Sequence, residues 1–195
     1  MKKAIRRLGI IAVLVVLGSA TGSLVRAAET YMVDPVHSSI SFMIGHQGIS
    51  KIHGRFNDFS GKFTIDREDP SKSSFALSVK VESVDTNNQK RDEHLRAPDY
   101  FNVKQFPEMT FQSTKVRPID GGYEVTGDLS LHGVTKSMTL VLKGGDKVVE
   151  FPKGMHRIGV ETSPTINRVD FGMRSEKPGL GDEVYITMGI EAAKN

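Results

Sequence analysis

Alternation of apolar and polar residues at period two, repeated along most of the chain, is the feature that most restricts its fold. Six segments carry it strongly: Ile40, Phe42 and Ile44; Phe59, Gly61, Phe63 and Ile65; Phe75, Leu77, Val79 and Val81; Tyr123, Val125, Gly127, Leu129 and Leu131; Met138, Leu140 and Leu142; Val184, Ile186, Met188 and Ile190. Each is an extended segment with one apolar face and one wet face, so each has to bury a single side. Between them stand turn signals: Gly45-His46-Gln47-Gly48, Asp66 to Ser73 around Pro70, Asp120-Gly121-Gly122, His132-Gly133 and Gly144-Gly145-Asp146. Weaker strands over 49–58, 109–116 and 157–162 bring the total to about nine, joined mostly as antiparallel hairpins. The pattern fits a sandwich and a closed antiparallel barrel equally well. No repeat, low-complexity tract or linker divides it, and one domain is expected.

The first 27 residues stand apart from this pattern. Lys2, Lys3, Arg6 and Arg7 precede an apolar run from Leu8 to Leu17, and Val25-Arg26-Ala27 offers a cleavage site, which is the order of a secretory signal peptide. A membrane anchor is the rival, but the apolar run falls short of the roughly 20 residues that span a bilayer. Cleavage after Ala27, or one residue later, leaves a domain over 28–195 that does not span a membrane and works in the periplasm. It also removes five basic residues and no acidic one, so the formal charge moves from +3 to −2. The basic balance therefore belongs to the export signal, and no nucleic-acid partner is expected. With no cysteine, disulfides, thiol nucleophiles and a lipidated cysteine are all excluded.

One stretch interrupts the strands, TNNQKRDEHLRAPDYFN at 86–102. Thr86 with Gln89 fits a capping box, Asp92 and Arg96 are spaced i and i+4, and Pro98 drives Ala97 out of helical geometry. A helix from about Asn87 to Arg96 follows. Its only large apolar residue is Leu95, so it lies across a surface, held by Leu95 and by Tyr100, Phe101, Val103 and Phe106. Asp92, Glu93 and His94 resemble metal ligands or an acid–base set as letters. Successive helical residues point about 100° apart, so the three cannot meet on one ion, and they read as a solvated helix face.

Catalytic signatures are missing elsewhere. The six histidines show no HxH or HExxH spacing, and there is no GxSxG elbow, phosphate loop or dinucleotide fingerprint. No metal, cofactor or catalytic residue is expected, although an enzyme assembled from scattered residues stays as an alternative. His46 and His132 lie beside glycine in expected turns, where histidine tolerates a left-handed backbone. What the chain does have in quantity is one-sided apolar strand surface. It suits a filled core, or a barrel lumen holding a ligand, with Met43, Met109, Met138, Met173 and Met188 as compliant wall or as gap-filling.

The segments DPVHSSISFMIGHQGISKIHGRFNDFSGKFTID, NNQKRDEHLRAPDYFNVKQFPEMTFQSTKV, GDLSLHGVTKSMTLVL, INRVDFGM and LGDEVYITMGIEA together resemble the YceI-like family over nearly the whole of 28–195. The resemblance implies an all-β fold, an extended lipocalin-like antiparallel β-barrel with a short capping helix. It implies a non-catalytic carrier whose lumen holds a long isoprenoid or quinone-like lipid, with a straight fatty amphiphile as competitor. A homodimer is left open. The rivals are an enzyme acting on a lipid head group and a stress-related structural protein with a filled core. The lumen-facing positions it implies are Phe42, Ile44, Phe63, Leu77, Val79, Phe111, Leu129, Leu140, Ile186 and Met188, with Leu95 and Phe101 turned inward from the helical cap and the cap's charges in water. Arg168 and Asp170 either fix the end of a strand or, through Arg168, touch a ligand head group; the structural role is favoured.

Overall fold

The computed structural model describes residues 28–173 and 179–194. The expected signal segment, 1–27, lies outside the described residues. The alternating segments become thirteen strands in one sheet. They are β1 (Glu29–Val33), β2 (Ser39–His46), β3 (Ser50–Phe56), β4 (Phe59–Ile65), β5 (Ser74–Lys80), β6 (Val84–Asp85), β7 (Glu108–Ile119), β8 (Gly122–Leu131), β9 (Val134–Gly144), β10 (Val149–Glu150), β11 (His156–Thr162), β12 (Thr165–Asn167) and β13 (Leu180–Lys194). Among the described residues a single α-helix, α1 (Gln89–Arg96), separates β6 from β7. Every strand expected from alternation is present. β1 was not expected, because one of its inward residues is Glu29. That carboxylate is buried yet satisfied, accepting from Tyr31 Oη at 2.7 Å and Lys194 Nζ at 2.8 Å.

Eight strands close the barrel in the order β1, β4, β5, β7, β8, β9, β11, β13 and back to β1. The sequence pattern fitted sandwich and barrel alike, and the register of β13 decides for the barrel. One edge of this long strand pairs first with β1, Ala192 facing Val33, and then with β2, Gly189 facing Ser39 through Leu180 facing His46. Its other edge pairs with β11 and then β12. The chain leaves the sheet between β1 and β2 because Pro35 opens a 3₁₀ turn, Pro35–His37, capped by Asp34, which accepts from Val36 N at 3.0 Å. Past that break the sheet divides: β1 continues to β4, whereas β2 continues to β3 and β6. The interior widens between the two arms, and α1 with the strap at 97–107 covers the gap. At the opposite end Phe63, Phe75 and Tyr123 form an aromatic plug, with ring centroids 5.2 and 5.5 Å apart.

Hairpin geometry follows the turn residues. His132 and Gly133 both take positive φ, 53° and 75°, as a two-residue turn between β8 and β9 requires. His46 does not behave as expected: it ends β2 inside the ladder, and Gln47 and Gly48 carry the left-handed conformation.

At the β1–β2 break, Arg157 Nη1 donates to Asp34 Oδ2 at 2.8 Å and also to Glu191, while His37 Nδ1 lies 2.8 Å from Asp34 Oδ2. Asp34, His37 and Glu191 form the one cluster among the described residues compact enough for a metal ion, but the guanidinium already points into it. Arg157 first, and His37 second, hold the Asp34 carboxyl well below the usual carboxylate range. A depressed folded pKa gives stability that is present above the unfolded value and is lost as pH falls through the folded one. Urea unfolding should therefore show wild type more stable than Asp34→Asn by a constant margin above about pH 5, a margin that shrinks steadily as pH falls below about 4 and is still partly present at about pH 2. A margin independent of pH would contradict the assignment.

Candidate ligand cavity

Two spaces follow one another inside the barrel. The inner one, about 90 Å³, lies among β4, β5, β7, β8, β9 and β13. The outer one, about 330 Å³, lies under α1 between the divided arms. Ile40, Met109, Ile166 and Ile186 line both, so the two spaces are neighbours that share part of one wall. Of the expected lumen positions, Phe63, Leu77, Val79, Phe111, Leu129, Leu140 and Met188 line the inner space. Phe42, Ile44, Leu95, Phe101 and Arg168 line the outer one, and Ile186 lines both. The inner wall contains no charged side chain.

The methionines divide. Met109, Met138 and Met188 line the inner space and Met173 the outer, whereas Met43 lies between Phe42 and Ile44 on β2 and faces the other side of the sheet. Sequence reading missed Phe75, Leu142, Val160 and Ile166 as wall residues. The first two belong to alternating runs already recognised, so the signal was available. Ile166 sits in a three-residue strand too short to show alternation.

The cover over the outer space is held more tightly than a solvated helix would be. Its N-cap is Asn88, whose Oδ1 accepts from Arg91 N at 3.0 Å; Thr86 does not form the expected capping box. Thr86 donates instead from N and Oγ1 to Asp92 Oδ1, and Arg91 donates to Thr86 Oγ1 and O, both at 2.7 Å. The expected Asp92–Arg96 pair is replaced by this clasp. Arg96 turns to the neighbouring backbone, donating to Glu82 O at 2.7 Å and Val84 O at 2.9 Å. The reading of the cap's charges as wholly in water is therefore corrected: Asp92 is buried, and Arg91 and His94 border the cavity. A helix lying flat on a rim has no fully solvated face, and the charges that turn inward are matched locally.

Apolar contacts anchor the same cover. Leu95, Phe101 and Val103 pack on the core, and Phe101 meets Phe56 edge-on at 5.7 Å. The strap folds back on the helix through Phe101 N to Leu95 O at 2.9 Å and Val103 N to Arg96 O at 3.2 Å. His94 stacks edge-on against Tyr100 at 4.8 Å, on the cavity rim.

Arg168 is buried, and its guanidinium is committed to the fold. Nε donates to Gly181 O at 2.8 Å, Nη1 to Met173 O at 2.5 Å, and Nη2 to Asp182 Oδ1 at 2.8 Å. It joins the 3₁₀ turn Arg168–Phe171 to the start of β13. The expected polar partner Asp170 lies instead 3.5 Å from Lys136 Nζ. Of the two roles open to Arg168, fixing the end of a strand is the one its contacts fill.

Known proteins share this arrangement. The sequence model of the YceI-like domain matches residues 31–192. A UPF0312 protein of Pseudomonas aeruginosa is 39% identical over 184 residues, spanning 91% of this chain and 94% of its own. One from Yersinia enterocolitica is 37% identical, spanning 91% and 96%. Among solved structures, BcnA of Burkholderia cenocepacia superposes with a TM-score of 0.71 at 22% identity, covering 82% of this chain and 99% of its own. The YceI protein of Campylobacter jejuni gives 0.65 at 30% identity, covering 75% and 87%. A domain from Saccharophagus degradans described as polyisoprenoid-binding gives 0.65 at 18%, covering 85% and 98%. The first and third of these structures share the fold; the Campylobacter protein and the UPF0312 proteins share sequence as well. With the family's domain matched almost end to end, a closed eight-stranded barrel and a capping helix, this chain belongs to the YceI-like family.

Proposed function

We propose that the protein binds and carries one long isoprenoid-type chain in the periplasm, without catalysis. The observation that carries the reading is a two-chamber interior with an apolar, uncharged inner wall, closed by a clasped helix. Its outer chamber alone reaches the lower end of the roughly 300–1,000 Å³ typical of small-molecule sites. A filled-core protein would not retain such a space. The description of the Saccharophagus domain as polyisoprenoid-binding agrees with this choice of cargo.

Burial drives such binding. At about 0.8 kcal/mol per buried carbon group, a chain of roughly 20 carbons gains on the order of 16 kcal/mol gross. Ordering the chain offsets much of that. Met109, Met138 and Met188 narrow the inner chamber, and their unbranched side chains can change rotamer to admit a longer tail.

The head group is neutral or weakly polar, as in a quinone-type ring. The two arginines at the outer chamber already give their donors to Thr86, Asp182 and backbone carbonyls. Burying phosphate without fresh donors is costly.

Leu140→Trp tests the cargo. Leu140 is 6% exposed and borders the inner chamber, so an indole there occupies tail space. Overpacking costs about 1–3 kcal/mol, which leaves the β fold intact. Mass spectrometry of extracted lipid should find long-chain loading reduced about fivefold or more relative to wild type. Equal loading would remove the tail from this chamber. The same preparations, taken from the periplasm, should have intact masses that start at Ala28 or Glu29; a full-length species held in the inner membrane would contradict export.

A further inference from the structure

The barrel closes on a very short ladder. Strands β9 and β11 share two register pairs, Lys143 with Glu161 and Gly144 with Val160, and β12 pairs with β13 alone. Below those two pairs β9 continues for nine residues, to Val134, with no ladder partner on that edge among the described residues. The cause is local sequence. Ser163-Pro164 separates β11 from β12, and Pro164 has no N–H to offer β9, while its carbonyl is taken by Ile186 N at 2.9 Å on the β13 side.

This seam is one side chain thick. Leu140, Thr162 and Pro164 line the inner chamber and also a cleft on the outer surface. The cleft adds Thr139, Val141 and Ser163, and Val141 is an exposed apolar side chain beside it. The slot has two fastened ends. At the upper end stands the Lys143–Glu161 pair, and at the lower end Lys136 Nζ approaches Asp170 Oδ2 at 3.5 Å while His132 Nδ1 lies 3.1 Å from Phe171 O. Between them a few residues of strand, at about 3.3 Å each, run side by side with no ladder pair among the described residues.

We propose that this seam is a lateral portal through which an apolar chain passes between the inner chamber and a lipid surface. The proposal rests on the carrier reading and adds a route to it. Opening the seam breaks no ladder, because the two pairs above it and the polar contacts below stay in place. A tail sliding past Val141, Leu140 and Pro164 meets apolar groups on the way. Lifting α1 instead breaks the Thr86–Asp92–Arg91 clasp and both Arg96 bonds.

The chain has no cysteine, so a paired substitution can be bridged without side reactions. Continuing the Lys143–Glu161 register places Val141 opposite Ser163, both on the outer surface. Val141→Cys combined with Ser163→Cys is joined by a bis-maleimide linker containing a cleavable disulfide. Retinol, a fluorescent isoprenoid alcohol, is loaded first, and its transfer to phosphatidylcholine vesicles is followed. The linked protein should transfer retinol about tenfold more slowly than wild type, hold the same amount at equilibrium, and recover the wild-type rate when dithiothreitol cuts the linker. A second pair, Thr139→Cys with Thr165→Cys, should behave alike. Wild-type transfer rates in both linked proteins would overturn the portal and return the route to the helix, with the carrier reading intact. Failure of wild type to bind retinol would overturn the carrier reading and the portal with it.

Discussion

Leu95→Asp should release the cargo. Leu95 is the apolar anchor of α1, bordering the outer chamber and packing on the core cluster. An aspartate there places an unpaired charge against Phe101 and the chamber wall, a cost of several kcal/mol if the helix stays in place. The helix escapes that cost by swinging away, which also breaks the Thr86 clasp and exposes the chamber to water. Lipid recovered from the purified variant should fall about tenfold or more below wild type, and residues 86–107 should become the first site of limited proteolysis. Glu93→Gln is the matched control: Glu93 is exposed, accepts from Gln89 Nε2 at 3.0 Å, and should change neither readout. Loss of loading in the glutamine variant with none in Leu95→Asp would favour head-group chemistry at the helix over a lid.

Arg168→Ala should have the largest effect on stability. The side chain is 6% exposed and serves two backbone carbonyls and Asp182 at hydrogen-bonding distance. Removing it leaves those carbonyls short of partners in a partly buried corner that starts β13, the strand on which β1, β2, β11 and β12 all register. A loss of about 3–5 kcal/mol in urea unfolding is expected. Arg168→Lys should restore little of it, because one ammonium cannot reproduce a planar fork with separated acceptors. Asp170→Asn, at an exposed ion pair with Lys136, should stay within about 1 kcal/mol of wild type. A stable Arg168→Ala protein that fails to retain lipid would instead assign Arg168 to the ligand.

These two positions mark where sequence reasoning reached and where it stopped. Leu95 was legible: one large apolar residue on an otherwise charged helix has to face something apolar. The strands were legible for the same reason, since a half-buried strand writes its burial as period-two alternation. The partners of Arg168 were not legible, because two of its acceptors are main-chain carbonyls that any sequence would supply. Barrel closure was hidden likewise, since nothing in β13 announces that it meets four other strands. β1 was concealed by Glu29, whose burial depends on Lys194 at the far end of the chain. Asp92 was read as solvated because the three acidic and basic letters were tested for convergence on one ion. Its actual partner, Thr86, had been assigned to a cap that Asn88 makes instead. Met43 shows the cost of judging by residue type alone, as its place between Phe42 and Ile44 puts it on the opposite face.

The central claim is that the apolar interior carries a long lipid chain, and native mass spectrometry of freshly purified protein tests it most directly. The account predicts a folded monomer or oligomer carrying one lipid mass per chain, released on collisional activation and identified in the organic extract as a neutral isoprenoid. A bare chain under gentle ionisation, with no long-chain lipid in the extract, would contradict it.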